Sequence, residues 1–133
     1  MKTVIASGKR KRAIARATLQ QGSGIVKVNN VSIESVQPKI TRMRIQEPII
    51  LAGDLADKVD IRVKVRGGGI ASQADASRLA IAKGLVEFSK NKTLRDTYLK
   101  YDRNLLVADV RRKEPAKPNR HGQARSKVQK SYR

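Results

Sequence analysis

The sequence contains no cysteine and a single histidine, His121, among its 133 residues. The first absence excludes disulfide frameworks, thiol nucleophiles and cysteine-based zinc sites. The second leaves any Ser/His/Asp arrangement dependent on one imidazole between proline and glycine, so no catalytic residue, no metal ligand and no cofactor is assigned. Aromatics make up 3% of the chain, and a core must therefore be built from Ala, Val, Ile and Leu; it will be modest. The longest stretch without a charge, residues 17–26, is ten residues long and includes Gln20, Gln21 and Ser23, far short of the roughly 20 apolar residues of a membrane span. The opening residues lack the apolar region of an export signal, so the cytoplasm is the expected compartment and no membrane partner is expected. Acid is scarce as well. Eleven Asp and Glu face thirty Lys and Arg, a net charge of +19, and a chain of this size with such a charge is one small domain that attracts polyanions, nucleic acid first.

The charge is concentrated at the ends. Residues 1–16 hold Lys2, Lys9, Arg10, Lys11, Arg12 and Arg16 with no acid, and residues 110–133 hold nine bases against Glu114 alone. The intervening 93 residues carry fifteen bases and ten acids, an ordinary balance for a folded domain. The expected organisation is a body over residues 1–109, opened by a basic arm, and an extended basic tail over residues 110–133. Pro115, Pro118 and Gly122 interrupt any periodicity in that tail, which lacks the apolar surface to order itself without a partner.

The body reads as a small α+β domain, a mixed sheet with helices on one face. Residues 59–66, VDIRVKVR, alternate without exception and predict a strand with four aliphatics on one face and four charges on the other. Residues 13–19 alternate likewise, and Asn29-Asn30 between two short β-rich runs predicts a hairpin turn. Ala74, Ser77, Ile81, Leu85 and Phe88 predict an amphipathic helix, with Ser72 and Asp75 as a capping box near its start. Residues 38–52 read as a shorter helix kinked or broken at Pro48. Leu94, Tyr98 and Tyr101 predict one more, with both tyrosines in the core.

Two motifs invite a chemical reading. Gly67-Gly68-Gly69, between a strand and a helix, lacks the Lys-Ser/Thr of a Walker A loop and departs from GxGxxG at Ser72; beside Arg66 it reads as a tight connection able to receive an RNA phosphate on backbone amides. Asp54, Asp57 and Asp60 recur every third residue, the wrong spacing for a calcium loop, and read as solvated turn residues. The two acid-poor segments assign phosphate contacts to Lys9, Arg10, Lys11, Arg12, Arg16, Arg111, Arg112 and Lys113. No expected strand carries an aromatic, which excludes an RRM-type base-reading platform. The competing classes are a chromatin-type architectural protein on duplex DNA and a small nucleotide-dependent enzyme; partner identity separates the first, tight ATP binding the second.

Ser7-Gly8-Lys9-Arg10-Lys11-Arg12, the glycine loop running into Gln73 and Ala74, and the closing Arg120-His121-Gly122 and Ala124-Arg125-Ser126-Lys127 together resemble the universal small-subunit ribosomal protein nine family over essentially the whole chain. The ending Ser131-Tyr132-Arg133 is similar to the archaeal and eukaryotic branch, where bacterial members close with Lys-Arg. The resemblance implies a two-layer α/β sandwich of the ribosomal protein S-five domain-two-like type on the head of the small subunit, beside neighbouring head proteins. It also implies a tail that threads ribosomal RNA toward the peptidyl-site tRNA. On that pattern Arg120, Arg125 and Lys127 meet ribosomal RNA and Lys130 and Arg133 meet tRNA phosphate, with Tyr132 among the tRNA-binding residues where bacterial members place a Lys, either stacking on a base or standing solvated. The family is structural, without catalysis or a small-molecule substrate.

Overall fold

The computed structural model describes residues 2–118 and 125–126, with residues 117–118 and 125–126 described by their backbone alone. Seven strands and three α-helices follow one another as β1 (Thr3–Arg10), β2 (Ala13–Gln21), β3 (Val26–Val28), β4 (Val31–Ser32), α1 (Lys39–Ala52), β5 (Val59–Arg66), α2 (Ile70–Ser89), α3 (Lys92–Tyr101), β6 (Lys117–Pro118) and β7 (Arg125–Ser126). The first five strands form a mixed sheet in the order β1-β2-β5-β3-β4. β1, β2 and β5 pair antiparallel, β3 runs parallel to β5, and β4 closes the edge antiparallel to β3. β6 and β7 form a separate two-residue parallel ladder.

Strict alternation decides which way the sheet faces. Val59, Ile61, Val63 and Val65 of β5, Ala13, Ala15, Ala17 and Leu19 of β2, and Val4 and Ala6 of β1 are buried, and α2 lies across all three strands. The other face of the sheet carries no helix among the described residues. α2 is buried on more than one side, at Ala74, Ala76, Leu79, Ala80, Ile81, Ala82 and Leu85, because α1 and α3 pack on it as well as the sheet. Small residues set the spacing: an added Cβ at Gly84 would strike Leu19 of β2.

Several expectations are corrected. The first sixteen residues are no arm; residues 3–10 form strand β1, with Val4, Ala6 and Gly8 facing α2. Two of those three inward positions are Ala and Gly, which carry little apolar weight, so the alternation is masked by the charge around it. The capping box does not form. α2 starts at Ile70, two residues before Ser72, with Gly69 as its cap and no side-chain cap bond, because Asp75 is engaged elsewhere, in ion pairs with Arg44 and Arg10. α1 runs unbroken through Pro48; the Pro48 carbonyl accepts a hydrogen bond of 2.7 Å from the hydroxyl of Tyr98. Tyr98 is fully buried, and burial pushes its phenol above the usual range. Tyr101, expected in the core, is 56% exposed; it is the last residue of α3. The Asn29-Asn30 turn forms as expected, with φ of 50° and 66°. The Asn29 side chain then continues the parallel ladder, exchanging hydrogen bonds of 2.9 and 3.1 Å with the backbone of Val65.

Asp60 is not merely a solvated turn residue. Its carboxylate accepts hydrogen bonds from the amides of Ser23, Gly24 and Ile25 at 2.9, 3.1 and 3.1 Å and so fixes the loop between β2 and β3. The amide of Ile25 foremost, then that of Ser23, hold its carboxyl below the ordinary range, against a smaller opposing effect of burial. A carboxyl lowered in the folded state stabilises the fold above its unfolded pKa of about 3.9, and that stabilisation is lost as pH falls through the folded value. Asp60→Asn is therefore expected to lower the thermal midpoint at pH 7, with the gap to the parent closing as the pH drops below about 4. A gap that stays constant across melts at pH 7, 5 and 3 would contradict this.

Candidate nucleic-acid interface

Three segments far apart in sequence meet at one end of the sheet. The β1–β2 hairpin turns on Lys11 and Arg12, and Lys11 takes a left-handed φ of 53°, a conformation that costs a lysine about 1 kcal/mol or more. The glycine loop lies directly against this turn. Gly67 and Gly68 have φ of 81° and 66°, and a Cβ on Gly67 would stand 2.5 Å from the Arg12 carbonyl, so only glycine lets the end of β5 reach the hairpin before α2 begins. The third segment is the start of the tail. Arg10, Lys11, Arg12, Gly68, Gly69, Ser72 and residues 111–116 line one open cleft of about 1020 Å³.

An ion-pair network holds the tail root in place. Asp109 receives four hydrogen bonds from Arg111: one from its backbone amide at 2.9 Å and three from its guanidinium between 2.7 and 3.1 Å. The Arg10 guanidinium stands 2.9 Å away on the other side. Arg111 first, and Arg10 after it, hold the Asp109 carboxyl well below the usual carboxylate range, and Asp109 in turn raises the Arg111 guanidinium. Arg10 also reaches Asp75 at 3.8 Å, and Arg44 meets Asp75 at 2.6 Å. Next to this group, Arg78 bridges Glu47 and Asp102 at 2.5 and 3.1 Å. Burial works against the charged form of Asp102, but the Asn104 amide and Arg78 outweigh it and lower its carboxyl. β1, α2 and the tail root are thereby locked together by charges that neutralise one another.

The cations expected from sequence to touch phosphate thus fall into distinct sets. Arg10 and Arg111 line the cleft but are already ion-paired. Lys11, Arg12, Arg112 and Lys113 also line it, are exposed, and form no ion pair among the described residues; Arg112 hydrogen-bonds only the carbonyls of Asp109 and Arg111, at 2.9 and 2.8 Å. Lys9, Arg16 and Arg66 project from the helix-free face of the sheet and are exposed. Arg125 belongs to β7 by its backbone, and Arg120, Lys127, Lys130, Tyr132 and Arg133 lie outside the described residues. Sequence reasoning missed Lys27, Arg62 and Lys64 on that same face, and the pairing of Arg10 with Asp109. Arg62 and Lys64 had a signal in the alternation of residues 59–66; the pairing of Arg10 with Asp109 had none, since the partners stand ninety-nine positions apart.

Chemically, the cleft offers cations and helix-start amides, and among the described residues no cluster of acids or histidine suited to a metal and no helix long and apolar enough to cross a membrane. Its geometry suits a polyanion. The pattern of the family described as "Ribosomal protein S9/S16" matches residues 8–133. A protein of Methanococcus maripaludis named "Small ribosomal subunit protein uS9" is 48% identical over 134 residues, covering all of both chains. One of the same name from Methanothrix thermoacetophila is 49% identical over 133 residues, again covering all of both. With that identity sustained from end to end and the family pattern spanning hairpin, glycine loop and tail, the chain belongs to the ribosomal protein S9/S16 family.

Proposed function

We propose that this chain is a structural, non-catalytic constituent of the head of the small ribosomal subunit in the cytoplasm, gripping small-subunit ribosomal RNA and extending its tail to the peptidyl-site tRNA during translation. The single observation that carries the reading is the convergence of hairpin turn, glycine loop and tail root on one basic cleft, at the point where a tail of nearly unopposed positive charge leaves a body over residues 1–109. Lys11, Arg12, Arg112 and Lys113 take RNA phosphates there, with Gly68 and Gly69 letting a phosphate approach the backbone at the start of α2. Arg10 and Arg111 keep the cleft in shape through Asp109. Along residues 110–133, Arg120, Arg125 and Lys127 spread their charge over ribosomal RNA. Lys130, Tyr132 and Arg133 meet tRNA, the terminal guanidinium offering a planar fork that a lysine cannot imitate. Neighbouring head proteins complete the partners, and no cofactor or small-molecule substrate takes part.

Crosslinking of gradient-purified small subunits tests the body contact: peptides containing Lys11 and Lys113 are expected to carry ribosomal RNA adducts, and adducts confined to other surfaces would contradict it. The tail is tested separately. Removing Arg133 deletes one charge-assisted phosphate contact, of about 1.5–3 kcal/mol, so peptidyl-site tRNA is expected to dissociate roughly tenfold or more faster while subunits assemble in normal yield. Defective assembly from that deletion would place Arg133 in the subunit's structure rather than on tRNA.

A further inference from the structure

We infer that the helix-free face of the five-stranded sheet is a second RNA-binding surface, one that takes the sugar-phosphate backbone of an RNA duplex. The identification of the polyanion as RNA rests on the function proposed above; the surface itself rests on register and charge. Lys9, Arg16, Lys27, Arg62, Lys64 and Arg66 all point away from the helices and are exposed. Cross-strand pairing sets them side by side: Arg16 lies opposite Lys64, and Lys27 opposite Arg62. Arg66 is opposite Ile14, which is in turn opposite Lys9. None of the six makes an ion pair among the described residues, whereas Arg10 and Arg111 of the cleft, and Arg44 and Arg78 beside it, all do. The strands carry one acid on this face, Asp60 at its end, and its carboxylate is occupied by three amides.

Like charges directly opposite one another destabilise a sheet. A fold that pairs Arg10, Arg44, Arg78 and Arg111 with acids but sets Arg16 against Lys64 and Lys27 against Arg62 on one face, with Asp60 near Arg62 as the one acid of its strands, is shaped for an external polyanion. The kind of polyanion follows from what else is there. Reading single strands needs aromatic side chains on which bases stack, and this face has none; its apolar residues are Ile5 and Ile14, 61% and 47% exposed, which suit the edge of a ribose but not the plane of a base. Along β5, Arg62, Lys64 and Arg66 recur at roughly 7 Å, comparable with the separation of successive phosphates along a strand. A duplex presents such a rail without exposing its bases.

The test uses the full chain with Lys27→Gln, Arg62→Gln and Lys64→Gln combined, none of which lines the cleft, against a blunt RNA duplex and a single strand of equal length. Three lost phosphate contacts are expected to lower the slope of log affinity against log salt by about 2.7 for the duplex and to weaken duplex binding at 0.1 M salt by about five hundredfold; single-strand binding should change by less than about threefold. Because like-charge neighbours are removed, the melting temperature should hold or rise, which separates lost contact from lost fold. An unchanged duplex slope would overturn the inference and, if cleft substitutions still weaken RNA binding, leave the proposed function intact. Equal losses on duplex and single strand would overturn the duplex assignment. Duplex and single-strand binding insensitive to both sets of substitutions would overturn the RNA reading as a whole.

Discussion

Replacing together the four cations of the cleft that form no ion pair among the described residues, Lys11→Gln, Arg12→Gln, Arg112→Gln and Lys113→Gln, is expected to weaken binding to small-subunit ribosomal RNA by roughly a thousandfold near 0.1 M salt. Each lost phosphate contact removes about 0.7–0.9 from the slope of log affinity against log salt, so the four together flatten it by about 3. The stability of the fold should scarcely change, because exposed substitutions away from packed or paired groups stay within about 0.5 kcal/mol each. By contrast, Arg10→Gln strips one partner from Asp109 and a weaker one from Asp75, and its effect should show first as a loosened tail root. Titrations of the fourfold variant across salt concentrations, run beside thermal melts, check the point. A slope equal to the parent's would mean that the cleft cations are not contacts at all.

The largest expected effect on the fold itself comes from one methyl group. Gly8→Ala puts a Cβ into the Ala76 carbonyl of α2 and within 2.8 Å of the Ala80 amide. Both are backbone atoms of a long buried helix, so neither can swing aside as a flexible side chain would. Overpacking of this kind costs about 3 kcal/mol, which for a body of this size lowers the melting temperature by about 10 °C. The consequence reaches the candidate interface, because β1 carries Arg10 and the Lys11-Arg12 turn, and a shift of β1 away from α2 also separates Arg10 from Asp75. Gly8→Ser should fare no better, whereas Ser7→Ala, pointing to the open face, should be nearly neutral. A melting temperature for Gly8→Ala within about 2 °C of the parent would show that strand and helix are less closely set than described.

What could be read from sequence follows the strength of each local signal. β5 was plain because every second residue is a large aliphatic and every other one a charge, and the Asn29-Asn30 turn because both residues tolerate left-handed backbone. β1 was hidden for the opposite reason: Ala6 and Gly8 face the helices, small because α2 lies so close, and small residues leave no periodic mark. The same compromise misplaced the start of α2, where Ser72 and Asp75 look like a cap but Asp75 gains more from two arginines brought in by other elements. Charge density singled out cations that the fold leaves exposed and clustered at the cleft, since that property is local. It could not distinguish Arg10 and Arg111, which are neutralised by Asp109, from Lys11 and Arg12 beside them. That distinction depends on a contact spanning almost the whole chain. Lys27, Arg62 and Lys64 escaped because the middle of the sequence is balanced in charge as a line; only pairing β3, β5 and β2 side by side sorts the cations onto one face and the acids onto others.

The central claim, that this chain is held within the small ribosomal subunit by RNA threaded around its cleft and tail, is tested most directly by following the protein through a density gradient after a high-salt wash of the lysate. Quantitative mass spectrometry would track it across free, small-subunit and large-subunit fractions. Many phosphate contacts, locked by a tail that cannot leave while RNA surrounds it, predict that the protein stays with the small subunit in stoichiometric amount. Its release into the free fraction, or its migration with DNA, would contradict that account and leave its charge acting only at the periphery.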